Sequence, residues 1–189
     1  MKKYKTAFLI FLLSSCGGGG SSNSQDTNIL PEADNDDLLN ETCANTNRAG
    51  MKRCNLKHDN LDRYYYIYMP DNLNESSSIP VLFALHGYGS SAARHLDYTN
   101  YFSIADENNL IVVYPQGAST ASLSAHWNVG GWTSKSPIKD LDFFNTLINL
   151  IKLKIPIDET RIYSSGMSNG GYMSYHLACN LSEKFAAIA

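Results

Sequence analysis

Beyond its first five residues, the sequence has no cluster of basic residues. After the first forty or so residues its composition is that of an ordinary globular domain. Its 15 Lys and Arg are scattered among 18 Asp and Glu, which gives a formal charge of -3. A nucleic-acid partner is therefore not indicated, because phosphate recognition needs basic side chains gathered on one surface. With 189 residues, 43% of them hydrophobic, and no internal repeat, the chain has room for one folded domain and no second large one.

The apolar run near the N-terminus is also too short to span a bilayer as a mature helix. Residues 7–13 follow a basic start and lead into Leu13-Ser14-Ser15-Cys16, which resembles a bacterial lipobox. We predict a lipoprotein signal peptide over residues 1–16 that ends at a lipidated Cys16, with plain secretion as the alternative. Residues 17–40 are rich in Gly, Ser, Asn and Asp and are predicted to form a disordered tether. The protein is then an outer-membrane or cell-surface lipoprotein, attached to the membrane only by its lipid, or a secreted protein.

Only four cysteines are present in the whole chain. Export implies an oxidising compartment, in which Cys43 and Cys54 are candidates for a disulfide across a short loop; two free thiols are the alternative. Cys179 has no obvious partner. It is either a small buried hydrophobic residue or pairs with a cysteine outside this sequence.

From Arg63 onward, short β-branched and aromatic runs alternate with helical patterns, which predicts an α/β domain over residues 41–189. A continuous apolar run such as Val81–Leu85 is typical of a strand buried on both faces of a parallel sheet. Strands are expected at 64–69, 81–85, 110–114, 161–165 and 185–189, and helices at 96–108, from about 140 to 155, and at 169–179.

The pentapeptide Gly166-Met167-Ser168-Asn169-Gly170 fits the pattern Gly-x-Ser-x-Gly, and it lies between a predicted strand and a predicted helix. That context is the one a nucleophile elbow requires: Gly166 and Gly170 allow strand and helix to approach closely, and Ser168 is exposed at the carboxyl end of the sheet. We therefore predict Ser168 as a nucleophile. The alternative is an ordinary serine in a glycine-rich helix cap.

An oxyanion formed at Ser168 needs two hydrogen-bond donors nearby. The backbone N–H of Asn169, at the start of the helix, is the first candidate. The second is the backbone N–H of Tyr88 in the loop that follows the Val81–Leu85 strand, where Gly87 and Gly89 let the loop approach the substrate. His86 begins that loop and is predicted to order it, with a role as catalytic base as the alternative. The structural role is favoured because the fold that carries such an elbow places the catalytic histidine after the serine.

Five ordered blocks between Leu61 and Ala189 carry a family resemblance. They are residues 85–89 (LHGYG), 111–117 (IVVYPQG), 139–144 (KDLDFF), 158–163 (DETRIY) and 166–173 (GMSNGGYM). The sequence resembles the extracellular esterases of the α/β-hydrolase fold that include polyhydroxybutyrate depolymerases, feruloyl esterases and acetylxylan esterases of carbohydrate esterase family one. One departure is Lys139, where the family often has a second acidic residue before Asp140.

The resemblance implies a three-layer α/β-hydrolase fold with a mostly parallel central sheet, here incomplete at the C-terminus. It also implies cleavage of a small-molecule or polymeric ester through an acyl-enzyme on Ser168, without a metal or organic cofactor. A long polar connection joins the predicted strand at 110–114 to the predicted helix that starts at about 140, and it contains Trp127 and Trp132. Both are candidates to stack on a sugar or an aromatic ester, with buried packing as the alternative.

The rest of the catalytic triad is not found in the expected order of serine, acid and histidine. After Ser168 the only histidine is His176, two helical turns further along the predicted helix and about 12 Å away, and the only acid is Glu183. Because the chain ends inside a predicted buried strand, it is expected to be the N-terminal part of a domain, poorly folded and inactive by itself. A peptidase or acyltransferase of the same fold, and a surface-anchored binding protein without catalysis, are the alternative functions.

Overall fold

The structure is a computed structural model, and it describes residues 41–189. The predicted signal peptide over residues 1–16, the lipidation of Cys16 and the tether over residues 17–40 lie outside the described residues.

A seven-stranded sheet forms the centre of the described part of the chain. Its strands are β1 (Thr42–Asn45), β2 (Met51–His58), β3 (Leu61–Tyr68), β4 (Ile79–Leu85), β5 (Ile111–Pro115), β6 (Ile157–Gly166) and β7 (Ala187–Ile188), and their order across the sheet is β1-β2-β3-β5-β4-β6-β7. Strands β5, β4, β6 and β7 are parallel to their neighbours, whereas β1 to β3 pair antiparallel and join β5 antiparallel. The parallel half carries the predicted elbow.

Four helices cover the two faces of this sheet: α1 (Ala92–Thr99), α2 (Phe102–Asn108), α3 (Asp140–Lys152) and α4 (Asn169–Asn180). One core cluster joins α3 and α4 to the sheet, and a second joins α1 and α2 to its other face. The predicted three-layer α/β fold is confirmed. None of the helices in residues 41–189 is both long enough and apolar enough to cross a membrane.

The central strands divide their side chains between the two clusters by simple alternation. In β4, Val81, Phe83 and Leu85 point into the cluster under α3 and α4, while Ala84 belongs to the cluster under α1 and α2. Every residue of β5 is buried. This explains the unbroken apolar runs in the sequence, because a strand covered on both faces has no solvent side on which to place polar residues.

Three local expectations were wrong. The predicted helix at 96–108 is two helices, because Asn100 ends α1 in the left-handed conformation, which Asn tolerates better than most residues. Tyr98, which its helical spacing to Tyr101, Phe102 and Ala105 predicts on the face packed against the sheet, is 74% exposed. The last strand is short, and Phe185 instead packs its side chain into the core.

The predicted disulfide between Cys43 and Cys54 is present. Cys43 on β1 and Cys54 on β2 face each other across the antiparallel pair and form a disulfide. Cys179 is exposed at the end of α4, which contradicts the first of the two alternatives stated for it, a small buried hydrophobic residue. No cysteine among the described residues is a free thiol.

A buried ion pair links the antiparallel half of the sheet to the start of α3. Nη2 of Arg63 donates to Oδ1 of Asp140 at 2.9 Å, and both side chains are at most 1% exposed. The guanidinium also lies 3.7 Å from the ring centroid of Phe143 and donates to the carbonyl of Gln116. Burial lowers the pKa of Arg63, and the charge of Asp140 opposes that shift. An arginine nevertheless remains charged, so each partner depends on the other for neutralisation.

We expect Asp140→Ala to lower the free energy of unfolding by about 3–5 kcal/mol, because it leaves the Arg63 charge buried without a partner. Denaturant unfolding measures the change. Lys139→Ala is the matched control: Lys139 is the adjacent residue, and it forms an exposed ion pair with Asp59 whose removal is expected to have little effect. Equal losses of stability in the two variants would contradict this account.

Candidate active site

The predicted elbow and the predicted oxyanion loop meet at one edge of the sheet. Strands β4 and β6 are parallel neighbours, and Leu85 at the end of β4 lies beside Gly166 at the end of β6. The backbone N–H of Met167 donates to the carbonyl of Leu85 at 3.2 Å. Because parallel strands end on the same side, the residues that follow them, 86–89 and 167–170, lie together at one edge of the sheet.

Ser168 lies at the junction between β6 and α4 in a conformation that few residues adopt. Its φ is 54° and its ψ is -118°, and its side chain is exposed. A non-glycine residue with a positive φ of this kind is strained by about 1–3 kcal/mol and persists only where its surroundings enforce it. The geometry is that of a tight strand-to-helix turn which presents a hydroxyl to solvent.

The glycines on either side of Ser168 are required by close backbone approach. A Cβ on Gly166 would lie 2.3 Å from the carbonyl carbon of Gly170, and a Cβ on Gly170 would lie 2.2 Å from the carbonyl oxygen of Leu85. Neither distance can accommodate a carbon atom. The sequence pattern around the serine therefore reflects a real steric limit at both positions.

The two predicted oxyanion donors lie on the two segments that meet here. Among residues 41–189, no hydrogen-bond acceptor is found for the backbone N–H of Tyr88 or of Asn169. A Cβ built on Gly87 would lie only 3.6 Å from the Cβ of Ser168, so the loop passes directly beside the serine. Gly89 has a φ of 68° and its N–H donates to the carbonyl of Ala125.

His86 is buried and both of its ring nitrogens are engaged with the backbone. Nε2 accepts a hydrogen bond from the backbone N–H of Gly117 at 2.9 Å, so Nδ1 carries the proton and donates to the carbonyl of Gly87 at 2.8 Å. Burial lowers the pKa of His86, which favours this neutral form. The predicted role of His86 in ordering the loop agrees with these contacts.

The other histidines near this edge have partners away from Ser168. His126 is buried and its nitrogens contact the Ser124 carbonyl and the Ser136 hydroxyl, at 2.9 and 2.8 Å. His176 lies on α4 beside the Asn180 side chain. None of the hydrogen bonds found in residues 41–189 joins a histidine to Ser168, so the described structure does not assign a general base.

The two tryptophans of the long connection have different environments. Trp127 is 0% exposed, and its indole N–H donates to the carbonyl of His86 at 2.9 Å. Of the two alternatives stated for this residue, its burial favours packing over contact with a substrate. Trp132 lies on a short 3-10 turn, Gly131–Thr133, and is 55% exposed. Its ring meets the half-exposed ring of Tyr88 edge to face, with centroids 5.3 Å apart.

Two side chains at this edge were not singled out from the sequence. The side chain of Gln116 donates to the Gly117 carbonyl and accepts from the hydroxyl of Tyr64 and the N–H of Ala92. The side chain of Asn169 binds the backbone of Trp127. No local sequence signal marks these contacts, since most of their partners are distant in the chain.

In residues 41–189, the one grouping of His, Cys and acidic side chains close enough to share a metal ion is Glu41, Cys43 and Cys54. The disulfide consumes both thiolates, so the grouping does not have the donor set of a metal site.

Comparison with known proteins identifies a family whose model matches this chain and several relatives with similar sequences. The model of the prolyl oligopeptidase family matches residues 95–189. The chain is 32% identical over 127 residues to a bifunctional acetylxylan esterase/xylanase of Neocallimastix patriciarum, a match that covers 67% of this chain and 17% of the relative. It is 33% identical over 124 residues to feruloyl esterase B of Thermothelomyces thermophilus, covering 65% of this chain and 41% of that one. The chain thus spans less than half the length of these relatives.

Solved structures support the same fold. The acetyl xylan esterase of Aspergillus awamori superposes with a TM-score of 0.53 at 21% identity, covering 67% of this chain and 45% of that one. The S-formylglutathione hydrolase of Agrobacterium tumefaciens superposes with a TM-score of 0.57 at 18% identity, covering 77% of this chain and 60% of that one. The resemblance predicted from the five sequence blocks, to feruloyl and acetylxylan esterases on an α/β-hydrolase fold, is confirmed.

We expect Gly170→Ala to destabilise the elbow by about 1–3 kcal/mol or more, because its Cβ would overlap the backbone at Leu85. Gly171→Ala is the matched control: its Cβ would meet its nearest neighbour at 3.1 Å, and alanine favours the helix. Denaturant unfolding of both variants, with backbone amide NMR shifts of residues 85–89 and 166–171, measures the difference. A Gly170→Ala variant as stable as Gly171→Ala would refute the steric argument.

Proposed function

The chain belongs to the prolyl oligopeptidase family on the α/β-hydrolase fold, and from that membership we propose that it is a serine carboxylic-ester hydrolase with Ser168 as the nucleophile. The observation that carries the proposal is the exposed, positive-φ serine at the junction of β6 and α4, beside the loop that follows β4. Strain at this position persists because Gly166 and Gly170, two residues away on either side, let the backbone close around Ser168.

In the proposed reaction, the Ser168 hydroxyl oxygen attacks the carbonyl carbon of the ester while a general base takes its proton. The carbonyl oxygen becomes an oxyanion, which accepts hydrogen bonds from the backbone N–H groups of Tyr88 and Asn169. Collapse of this intermediate expels the alcohol, which receives the proton, and leaves the acyl group on Ser168. Water then releases the acid by the same steps. That the triad acid and histidine are absent from this chain stays a prediction.

The proposed substrates are carboxylic esters, small or polymeric, that include those named for the relatives: acetyl esters of xylan and feruloyl esters. Esters of hydroxybutyrate polymers remain a further candidate from the sequence resemblance. We assign the exposed rings of Trp132 and Tyr88, together with the half-exposed Met167, to substrate contact. Met167 precedes Ser168 in the chain, Tyr88 follows Gly87 in the loop beside it, and the Trp132 ring packs on Tyr88. Their exposure leaves these apolar side chains available to a flat ring.

The proposed location is outside the cytoplasm, either on the outer membrane or cell surface as a lipoprotein or secreted. The basic start, the apolar run and the lipobox-like residues that end at Cys16 support it. The disulfide between Cys43 and Cys54 supports it independently, because such bonds persist in oxidising compartments. The proposal includes no nucleic-acid partner and no metal or organic cofactor.

A peptidase on the same scaffold is the second candidate, and the match to the prolyl oligopeptidase family favours it. Acyl chemistry at Ser168 is the same for an ester and an amide up to the leaving group, so the site geometry alone does not separate them. The identified relatives with esterase names favour the ester. A binding protein without catalysis would show neither activity.

We expect the full-length protein to hydrolyse esters and to lose that activity by at least about a thousandfold in Ser168→Ala, because the acyl-enzyme requires the hydroxyl. The assay compares nitrophenyl acetate, feruloylated sugars, acetylated xylan and hydroxybutyrate oligomers with the matching peptide anilides. Ser76→Ala, which changes an exposed serine remote from the elbow, is the control. A fluorophosphonate should label the wild type and not Ser168→Ala, as read by mass spectrometry. Activity retained in Ser168→Ala would overturn the assignment, and preferred cleavage of anilides would favour the peptidase.

We expect Trp132→Ala to raise KM for methyl cinnamates and feruloylated sugars by about two- to tenfold, the range that one aromatic contact provides. KM for ethyl acetate should stay the same, because that substrate has no ring to stack. Tyr98→Ala removes another exposed ring, 74% exposed on α1, and serves as the control. If KM rises equally for cinnamates and ethyl acetate, the ring does not act by stacking.

A further inference from the structure

Trp127 connects the two segments that carry the proposed oxyanion donors. Its indole N–H donates to the His86 carbonyl at 2.9 Å, two residues before Tyr88. Its backbone N–H donates to Oδ1 of Asn169 at 2.7 Å, and its backbone carbonyl accepts from Nδ2 of Asn169 at 3.1 Å. One residue of the long connection therefore binds the loop after β4 with its side chain and the elbow with its backbone.

All three participants are sealed from solvent. Trp127 and His86 are 0% exposed and Asn169 is 1% exposed. A buried hydrogen bond that loses one partner leaves the other group unsatisfied, at a cost well above the net gain of forming the bond. The Asn169 amide both accepts from and donates to the backbone of Trp127, and this pair of bonds fixes the orientation of the first residue of α4.

The position of Trp127 is itself set from outside the site. The next residue, Asn128, donates its backbone N–H to Oδ2 of Asp140 at 2.7 Å, and Asp140 is held by Arg63. The residue before Trp127, His126, lies directly against Gly117: a Cβ on Gly117 would be 2.5 Å from the carbonyl oxygen of His126. Trp127 is thus anchored to the core and does not simply follow the loops that it binds.

We propose that Trp127 and the side chain of Asn169 are positioning residues that set the separation of the Tyr88 and Asn169 amides. The inference rests on the proposed function, because it concerns the amides that receive the oxyanion. Strands β4 and β6 bring these amides to the same edge, and the three hydrogen bonds of Trp127 hold them in one relative position. Hydrogen-bond donors accelerate acyl transfer only when they are held at the place where the charge develops.

The alternative is that Trp127 contributes only packing, since its ring also contacts Phe144 and His86. The two accounts differ in what they predict for catalysis. Lost packing lowers stability and leaves the chemistry of the folded protein unchanged. A displaced amide lowers kcat in protein that is still folded, because it weakens the transition state more than the bound substrate.

The test uses the full-length protein and the variant Trp127→Phe, which keeps a buried ring and removes the indole N–H. We expect kcat for the preferred ester to fall about ten- to a hundredfold with KM within about twofold, since a small displacement of a catalytic group has effects of this size. Inhibition by an alkylboronic acid, whose serine adduct is tetrahedral, should weaken in parallel. Tyr114→Phe is the control: it also removes one polar contact of a buried aromatic ring, with Thr99, on the opposite face of the sheet. Its kcat should stay within about twofold of the wild type.

A second variant, Asn169→Leu, removes both side-chain hydrogen bonds to Trp127 and retains the backbone N–H. We expect a similar fall in kcat, and the double variant should be no slower than the worse single variant within about threefold, because both residues act through one connection. Stability is measured for each variant by denaturant unfolding. Wild-type kcat in folded Trp127→Phe or Asn169→Leu would overturn the inference alone. A wild type that hydrolyses no ester would overturn the proposed function, and the inference with it.

Discussion

The buried charge pair of Arg63 and Asp140 is the constraint on which the site-bearing edge of the structure depends. Asp140 stands at the first position of α3, where the helix dipole favours a carboxylate, and its two oxygens serve different segments. Oδ1 neutralises Arg63 on β3, and Oδ2 accepts from Asn128 in the long connection. Since neither charge tolerates burial alone, the strand, the connection and the helix must take up their positions together. The coupling extends toward Ser168, because Asn128 follows Trp127, which binds the side chain of Asn169.

From that pair a chain of buried contacts runs to the serine. Arg63 donates to the carbonyl of Gln116. The side chain of Gln116 and the backbone N–H of Gly117 both contact Nε2 of His86. His86 is connected to Trp127, and Trp127 to Asn169 beside Ser168. Each link joins segments that are distant in sequence. Strain at Ser168 is sustained because its neighbours on both sides are fixed in this way, and a loosely held turn would relax to a negative φ.

What the sequence could predict follows from the range of the interactions. The elbow was predicted because its steric rule acts over five residues, and β4 and β5 were predicted because burial on both faces leaves an unbroken apolar run. The β2–β3 hairpin was missed, although Asp59 and Asn60 both have positive φ and form the two-residue turn that such hairpins favour. Lysines and an arginine on the exposed positions of β2 hid its alternation.

The two tryptophans of the long connection show where sequence reasoning stops. They are five positions apart in similar polar, glycine-containing surroundings, so composition treats them alike. Their separation into a buried connector and an exposed ring depends on contacts made about 40 residues away, with His86 and Asn169. Trp132 lies instead on a turn closed by local bonds of Thr133 to Gly130 and Asn128. Trp132 nevertheless contacts the segment that carries one proposed oxyanion donor, because its ring packs edge to face on the ring of Tyr88. The same connection therefore fixes the elbow through the buried hydrogen bonds of Trp127 and leaves Trp132 exposed beside Tyr88, where the proposed substrate would meet it.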